Sequence, residues 1–339
     1  MNAPNLSPAG YMALSKADDA VSRLEGRLTG SPLLHLWTER TDWLEAHAAA
    51  WNRGELAPLE DIILHDAFMD RTLPTIGVTL AQAILRGRRR AFRMAPARLL
   101  TPSGLEAVLS RGNIASDPGS EAVKAADRNP SRRVTGFDGA LTACPLPDDL
   151  AQQSPAQALT YWLASSARLR QSHPPLLACA MLMDLWWRLE VAQTQDYAGM
   201  FLIEAYARTL GRMRHARLCL ELGARTVQSQ QVRWRKTAPD ADRVEVCLEM
   251  IRTGAEKGLE ELNRLSIADQ ILRRALRDRR RTSRMPELVE LVLKTPLITT
   301  DLVAQTLRVT PQAAGKMIDA LSGSLVEITG RVRYRAWRI

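Results

Sequence analysis

The sequence predicts an all-α protein that ends in a winged helix-turn-helix, three short helices followed by a small β-hairpin wing. Three observations predict it. Ser/Thr-Pro pairs (Ser7-Pro8, Ser31-Pro32, Ser154-Pro155, Thr310-Pro311) precede stretches whose apolar residues recur at helical spacing. Aromatic residues make up only 5% of the chain and few runs alternate apolar with polar, which argues against an all-β fold. The last fifth, Met285 to Ile339, reads as three helical patterns and then an alternating, arginine-bearing stretch around Thr329-Gly330.

In chain order, the first helix is expected from Pro8 to Leu28 and the second from Pro32 to Asn52-Arg53-Gly54. In the second, Trp37, Leu44 and Trp51 recur every seven residues, which is core spacing. Leu59 to Met69 and Thr79 to Arg93 follow as helices, with Thr79 as the expected cap. The acidic group Glu60, Asp61, His65, Asp66 and Asp70 is compatible with a metal or acid/base site. The favoured reading is a solvated acidic face paired with Arg71 and the next, basic helix. That helix carries Arg86, Arg88, Arg89, Arg90 and Arg93, a run that either touches DNA or pairs with acidic neighbours. From Thr101 to Pro155 the composition turns to Gly, Pro, Ser and Asp without periodicity, the signature of a flexible linker or long loop.

Pro155 to Arg170 is the next helix. The stretch after Pro174-Pro175, LLACAMLMDLWWRLEVAQ, is apolar nearly all round and is expected at the centre of a bundle, with Trp186 and Trp187 in the core or one of them facing a partner. Tyr197 to Met213 and Ala216 to Leu222 continue the pattern. Val227 to Pro239 reads as a loop and Asp240 to Leu262 as a long amphipathic helix. Ser266 to Arg284 is a helix that becomes a basic rod. The expected organisation is a helical region over residues 1–100, a linker over 101–155, a bundle over 156–284 and the winged unit over 285–339.

In that unit Pro286 suits the first position of a helix that Thr295-Pro296 stops. A second helix starts at Thr299 or Thr300, where either hydroxyl can cap and Asp301 favours the positive end of the dipole. The turn Leu307-Arg308-Val309-Thr310 places arginine where many such turns use glycine to reach positive φ. Thr310-Pro311 then opens a third helix to about Leu321. Ala314, Met317, Ile318 and Leu321 face inward, while Gln312, Ala313, Gly315, Lys316 and Asp319 face out. Short side chains at Ala313 and Gly315 suit close approach to a major groove, with Gln312 suited to an adenine edge and Lys316 to a guanine or a phosphate. In the wing, Arg331, Arg333 and Arg335 share one strand face. The candidate DNA contacts are therefore Thr300, Thr310, Pro311, Gln312, Ala313, Gly315, Lys316, Arg331, Arg333 and Arg335, with Arg280, Arg281 and Arg284 of the basic rod.

Charge supports this placement. Of the formal +9, a balance of +8 falls between Arg264 and Ile339, from 15 Lys and Arg against 7 Asp and Glu. That asymmetry is the electrostatic footprint expected of a partner of polyanions. A protein-docking winged unit is the bland alternative, and the charge argues against it. The four cysteines are far apart and form no CxxC, and the histidines do not cluster with them. Buried thiols in a reducing compartment fit better than a zinc site. The N-terminus lacks the basic and apolar regions of a signal peptide. No apolar run approaches the about 18 residues of a membrane span.

Several stretches carry a resemblance. SRMPELVELVL, TPQAAGKMIDAL and EITGRVRYRAW at the C-terminus, SRLEGRL and LEDIILHDAFMDR near the N-terminus, and PPLLACAMLMDLWW in the middle resemble a bacterial, often plasmid-borne family. Its members join an N-terminal helical domain of unknown function to a winged DNA-binding tail. The tail is also similar to that appended to some Fic proteins. Their adenylyl-transfer signature, HPFxxGNGR, finds only Ser172-His173-Pro174-Pro175 here, with no GNGR after it, so Fic catalysis is not expected. The expectation is a sequence-specific regulator that binds double-stranded DNA as a homodimer in the cytoplasm, associated with the nucleoid. No catalytic residue, metal or cofactor is expected, and an effector or protein partner of the helical body is left open. The alternative is a structural adaptor whose body binds a partner while its tail tethers it to DNA.

Overall fold

A computed structural model describes residues 7–69, 73–109, 154–192, 195–276, 284–328 and 335–339. The element around which the others pack is a helix, α11 (Asp240–Leu276), 37 residues long and therefore about 55 Å. It merges two stretches expected as separate helices, because nothing between Leu262 and Ser266 breaks the apolar stripe.

The preceding elements are α1 (Pro8–Leu28), α2 (Leu34–Asn52), α3 (Leu59–Asp66), α4 (Ile76–Arg93), α5 (Pro96–Leu99) and α6 (Pro102–Leu109). After residues 110–153, which lie outside the described set, come α7 (Pro155–Ser172), α8 (Pro175–Leu189), α9 (Ala198–Thr209) and α10 (Leu220–Ser229). α1 runs parallel to α11. Ser7 Oγ donates to Glu245 Oε1 at 2.8 Å at one end, and Arg27 Nη2 to Asn263 Oδ1 at 3.1 Å at the other. α8 is buried on nearly every face, as its composition requires. Its acid, Asp184, is satisfied by Trp234 and Arg243 at 2.8 Å and by Arg188 at 3.4 Å. Residues from the N-terminal region, the bundle and the winged unit share one core.

Other helix bounds change: α2 starts at Leu34 rather than Pro32, and α9 ends at Thr209 rather than Met213. The helix after α3 starts at Ile76, capped by Thr75, whose hydroxyl accepts the Val78 N–H at 3.2 Å; Thr79 lies inside it. Glycine at position 77 is a packing residue there, since a Cβ would stand 2.4 Å from the Leu56 carbonyl oxygen. The expected linker begins too early, because α6 occupies Pro102–Leu109 and buries Leu105 and Val108. α10 starts at Leu220 rather than Ala216, because the Glu25 carboxylate takes the N–H groups of Arg214, His215 and Ala216. It also runs into the expected loop, to Ser229.

Of the arginine run of α4, Arg88 is turned inward, Arg89 and Arg90 are half-buried, and Arg86 and Arg93 are exposed. Arg88 is fully buried and pairs with Asp42 at 2.8 Å, Glu45 at 3.3 Å and Glu204 at 2.5 Å. Arg217 also pairs with Asp42. Arg89 pairs with Asp66 at 2.9 Å, and Gln82 donates to the same carboxylate at 2.6 Å. Of the acidic group, Asp66 is thus paired with the basic helix, the pairing that the favoured reading expects; Asp70 and Arg71 lie outside the described residues. Among the described residues no cluster of three His, Cys, Asp or Glu is placed to hold a metal. No described helix is long and apolar enough to cross a membrane. Cys179, Cys219 and Cys247 are free and buried, and burial pushes the Cys179 thiol up to about 12.

Candidate nucleic-acid interface

The C-terminal unit consists of α12 (Met285–Lys294), β1 (Ile298–Thr299), α13 (Thr300–Leu307), α14 (Pro311–Asp319), β2 (Val326–Glu327) and β3 (Ala336–Arg338). Thr295 ends α12 in extended backbone ahead of Pro296, and its hydroxyl donates back to the Leu291 carbonyl at 2.6 Å. Of the two threonines that follow, Thr299 is the cap, accepting the Leu302 N–H at 3.2 Å. Thr300 is the first helical residue and is half-exposed.

Arg308 sits at φ 51°, ψ 50°, the left-handed conformation that the position demands. Its N–H and that of Val309 return to the Gln305 and Ala304 carbonyls, closing α13 as a glycine would. Thr310 caps α14 by accepting the Ala313 N–H at 3.2 Å, with Pro311 at the first position. Ala314, Ile318 and Leu321 are buried and Met317 half-buried, so the inner face is the expected one. Pro311, Gln312 and Lys316 are exposed. Ala313 and Gly315 are half-buried, and a Cβ added at Gly315 would meet nothing within 4 Å.

The sheet has a strand that the sequence pattern did not reveal. β3 lies between β1 and β2, antiparallel to both, with Ile298 opposite Trp337 and Val326 opposite Arg338. β1 is two residues long, too short for any periodicity to register. It fastens the wing to the start of α13. Arg335 is exposed, pairs with Glu327 across the hairpin, and lies 5.2 Å from the Trp337 ring centroid. Its guanidinium is therefore held at the wing surface rather than ranging freely. Arg284 is also engaged, with Glu287 at 3.2 Å and with the Leu307 carbonyl at the end of α13 at 2.9 Å. Arg280, Arg281, Arg331 and Arg333 lie outside the described residues.

The unit is docked on the body. Arg40 of α2, buried, pairs with Glu261 of α11 and donates to the Thr295 carbonyl at 2.7 Å and the Val292 carbonyl at 3.3 Å, at the end of α12. A cation at a helix C-terminus complements the dipole and satisfies carbonyls that have no partner within the helix.

Residues 154–277 match the model of a protein family of unknown function, DUF1612, and residues 285–339 match an HTH DNA binding domain. A Fic family protein from Desulfovibrio desulfuricans G20 shares the overall fold, with a TM-score of 0.51 and 14% identity over 100% of this chain and 98% of that one. The uncharacterized protein y4cF of Sinorhizobium fredii (strain NBRC 101917 / NGR234) is 32% identical, covering 94% of this chain and 93% of that protein. With that identity over nearly the full length of both, the chain belongs to the same family as y4cF, and it carries a DUF1612 domain followed by a C-terminal helix-turn-helix DNA-binding domain.

Proposed function

We propose that the protein is a sequence-specific transcriptional regulator that places α14 in the major groove and its wing on the adjacent backbone. The observation that carries this is the outer face of α14. Gln312 and Lys316 stand exposed, while Ala313 and Gly315 leave no bulk between the helix and what approaches it. Gln312 offers a donor and an acceptor for an adenine edge. Arg335, braced by Glu327, suits a phosphate. Useful specificity from a unit this small calls for two copies at symmetric half-sites, so the regulator acts as a homodimer. The reading is of a binding protein and not an enzyme. In support, His173 leads into Pro174-Pro175-Leu176-Leu177 rather than into a glycine-rich phosphate turn.

The test begins with recovery of a preferred site from random DNA fragments. Gln312→Ala is expected to lose roughly 1–3 kcal/mol on that site and relax preference at one base position. Arg335→Ala is expected to weaken preferred and random DNA alike and to flatten the salt slope by about one unit. Equal weakening of both DNAs by Gln312→Ala removes α14 as the reader.

The adaptor reading keeps one supporting observation. Leu56, Phe68, Leu73 and Ile76 are all more than three-quarters exposed, around the connections flanking α3. Apolar residues gathered in this way suit contact with another protein. If the fragments retained by the purified chain share no sequence preference, this second reading replaces the first.

A further inference from the structure

A cleft of about 520 Å³ opens in the helical body where α2, α8, α10 and α11 meet. It lies at the far end of α8 from His173. Its apolar walls are Trp186, Trp187 and Trp234, with Met200 and Met250. Trp187 and Trp234 pack at 5.5 Å between centroids with a 56° tilt, and both are half-buried, so each keeps ring surface toward the cleft. Trp186 is wedged over Gly199, where a Cβ would stand 2.6 Å from its ring.

The polar groups in this cleft are unevenly committed. The donors at its floor are spent. Trp186 Nε1 donates to the Asp196 carbonyl at 2.9 Å and Trp234 Nε1 to Asp184 at 2.8 Å. Asn52 Nδ2 donates to the Glu221 carbonyl and carboxylate at 3.0 and 2.7 Å. Arg53 is divided between Asp196 at 2.6 Å and Glu221 at 3.0 Å. Acceptors remain. Asn52 Oδ1 is buried without a hydrogen-bond partner among the described residues. The Asp196 carboxylate, paired with Arg53, and the Glu190 carboxylate, paired with Lys236 at 2.6 Å, keep 42% and 52% of their side chains exposed.

A site of this size with tryptophan faces, a spare buried acceptor and half-exposed carboxylates at its rim selects a cation with an apolar shell. An anionic ligand would find Arg53 held by Asp196 and Glu221 and only the exposed Arg233 left as a cation among the described lining residues. We propose that this cleft binds a small organic cation, an alkylated ammonium or a protonated amine, with its charge over the Trp187 and Trp234 rings and toward Glu190 and Asp196. The proposal does not rest on the DNA-binding reading, and its test contains no DNA.

The full chain is titrated with choline, with its neutral isostere 3,3-dimethyl-1-butanol, and with benzylammonium against benzoate. Tryptophan fluorescence and calorimetry follow binding. The expected result is saturable quenching by choline and benzylammonium, with the neutral isostere and benzoate at least about tenfold weaker, the value of a desolvated cation–π contact. Trp187→Leu should weaken choline at least about tenfold. Glu190→Gln, at a half-exposed side chain that leaves packing intact, should weaken it about threefold. If Trp187→Leu does not fold, Glu190→Gln and Asp196→Asn carry the test. No saturable binding by either cation, equal binding of the neutral isostere, tighter benzoate binding, or folded variants that all bind like the parent chain would each overturn the proposal.

Discussion

At the scale of single residues, the clearest legible signal is Gly315. Glycine in the middle of a helix costs about 1 kcal/mol relative to alanine, and here open space surrounds the position, so packing does not demand it. Gly315→Ala is therefore expected to stabilise the protein by about 1 kcal/mol in a urea titration while weakening its hold on DNA. An alanine variant that is both more stable and undiminished in binding removes close approach as the reason for glycine. Arg308 carries the opposite lesson. Its side-chain type spoke against the turn geometry, yet the chain takes the left-handed conformation anyway, held by two returning hydrogen bonds. The buried ionic centre around Arg88 was legible only as a run of arginines. Its carboxyls belong to α2 and α9, which no spacing in α4 reveals. Burial pushes the Glu45 carboxyl up to about 8 and the Glu204 carboxyl up to about 7, against the pull of Arg88. Both folded values lie above the ordinary 4.5, so folding takes up protons between these limits. The associated stability is complete below about pH 4.5 and is lost as pH rises through 7 to 8. The urea midpoint should fall from pH 5.5 to pH 8.5 as the unfolding free energy drops by up to about 1.4 kcal/mol per pH unit for each proton, and Glu204→Gln should flatten the fall. A midpoint that rises with pH contradicts the assignment.

At the scale of elements, three of the four Ser/Thr-Pro signals placed a helix start: α1, α7 and α14 begin at their prolines, while α2 begins at Leu34, two residues after Pro32, without a side-chain cap. Their information is local, a capping hydroxyl and a preset φ. Elements whose ends depend on distant groups were misplaced. α10 waits for the Glu25 and Glu45 carboxylates, which take the N–H groups on either side of its start. β1 exists only because β3 returns beside it. The crossing of α10 on α11 is similarly hidden in two unremarkable glycines. A Cβ at Gly223 would stand 2.0 Å from the Met250 carbonyl oxygen, and one at Gly254 would stand 2.4 Å from that of Cys219. Each helix thus rests directly on the other's backbone. Gly223→Ala, although favourable to an isolated helix, should destabilise the protein by about 3 kcal/mol or more, since neither contact atom belongs to a flexible side chain. Thermal unfolding checks this, and an unchanged midpoint would show that the two helices can part at little cost.

At the scale of the whole molecule, charge location was readable and the joining of parts was not. The +8 balance of the C-terminal quarter pointed to a polyanion, and that quarter contains the DNA-binding domain. Nothing in the sequence singled out Arg40, a lone arginine in an alanine- and tryptophan-rich helix. Yet it joins α2, α11 and the end of α12 through one buried guanidinium. Gln305 of α13 adds a longer contact to the Ala67 carbonyl, at 3.4 Å. A reader clamped to its body in this way transmits angular position. Once α14 lies in a groove, the face of the duplex on which the body stands is set as well. Two neighbouring sites then bring their bodies together only when the turns of the duplex agree. Inserting about five base pairs between such sites should abolish joint occupancy, and about ten should restore it. A smooth decline with spacing, measured by gel shift or footprinting, would mean that the clamp lets go on DNA.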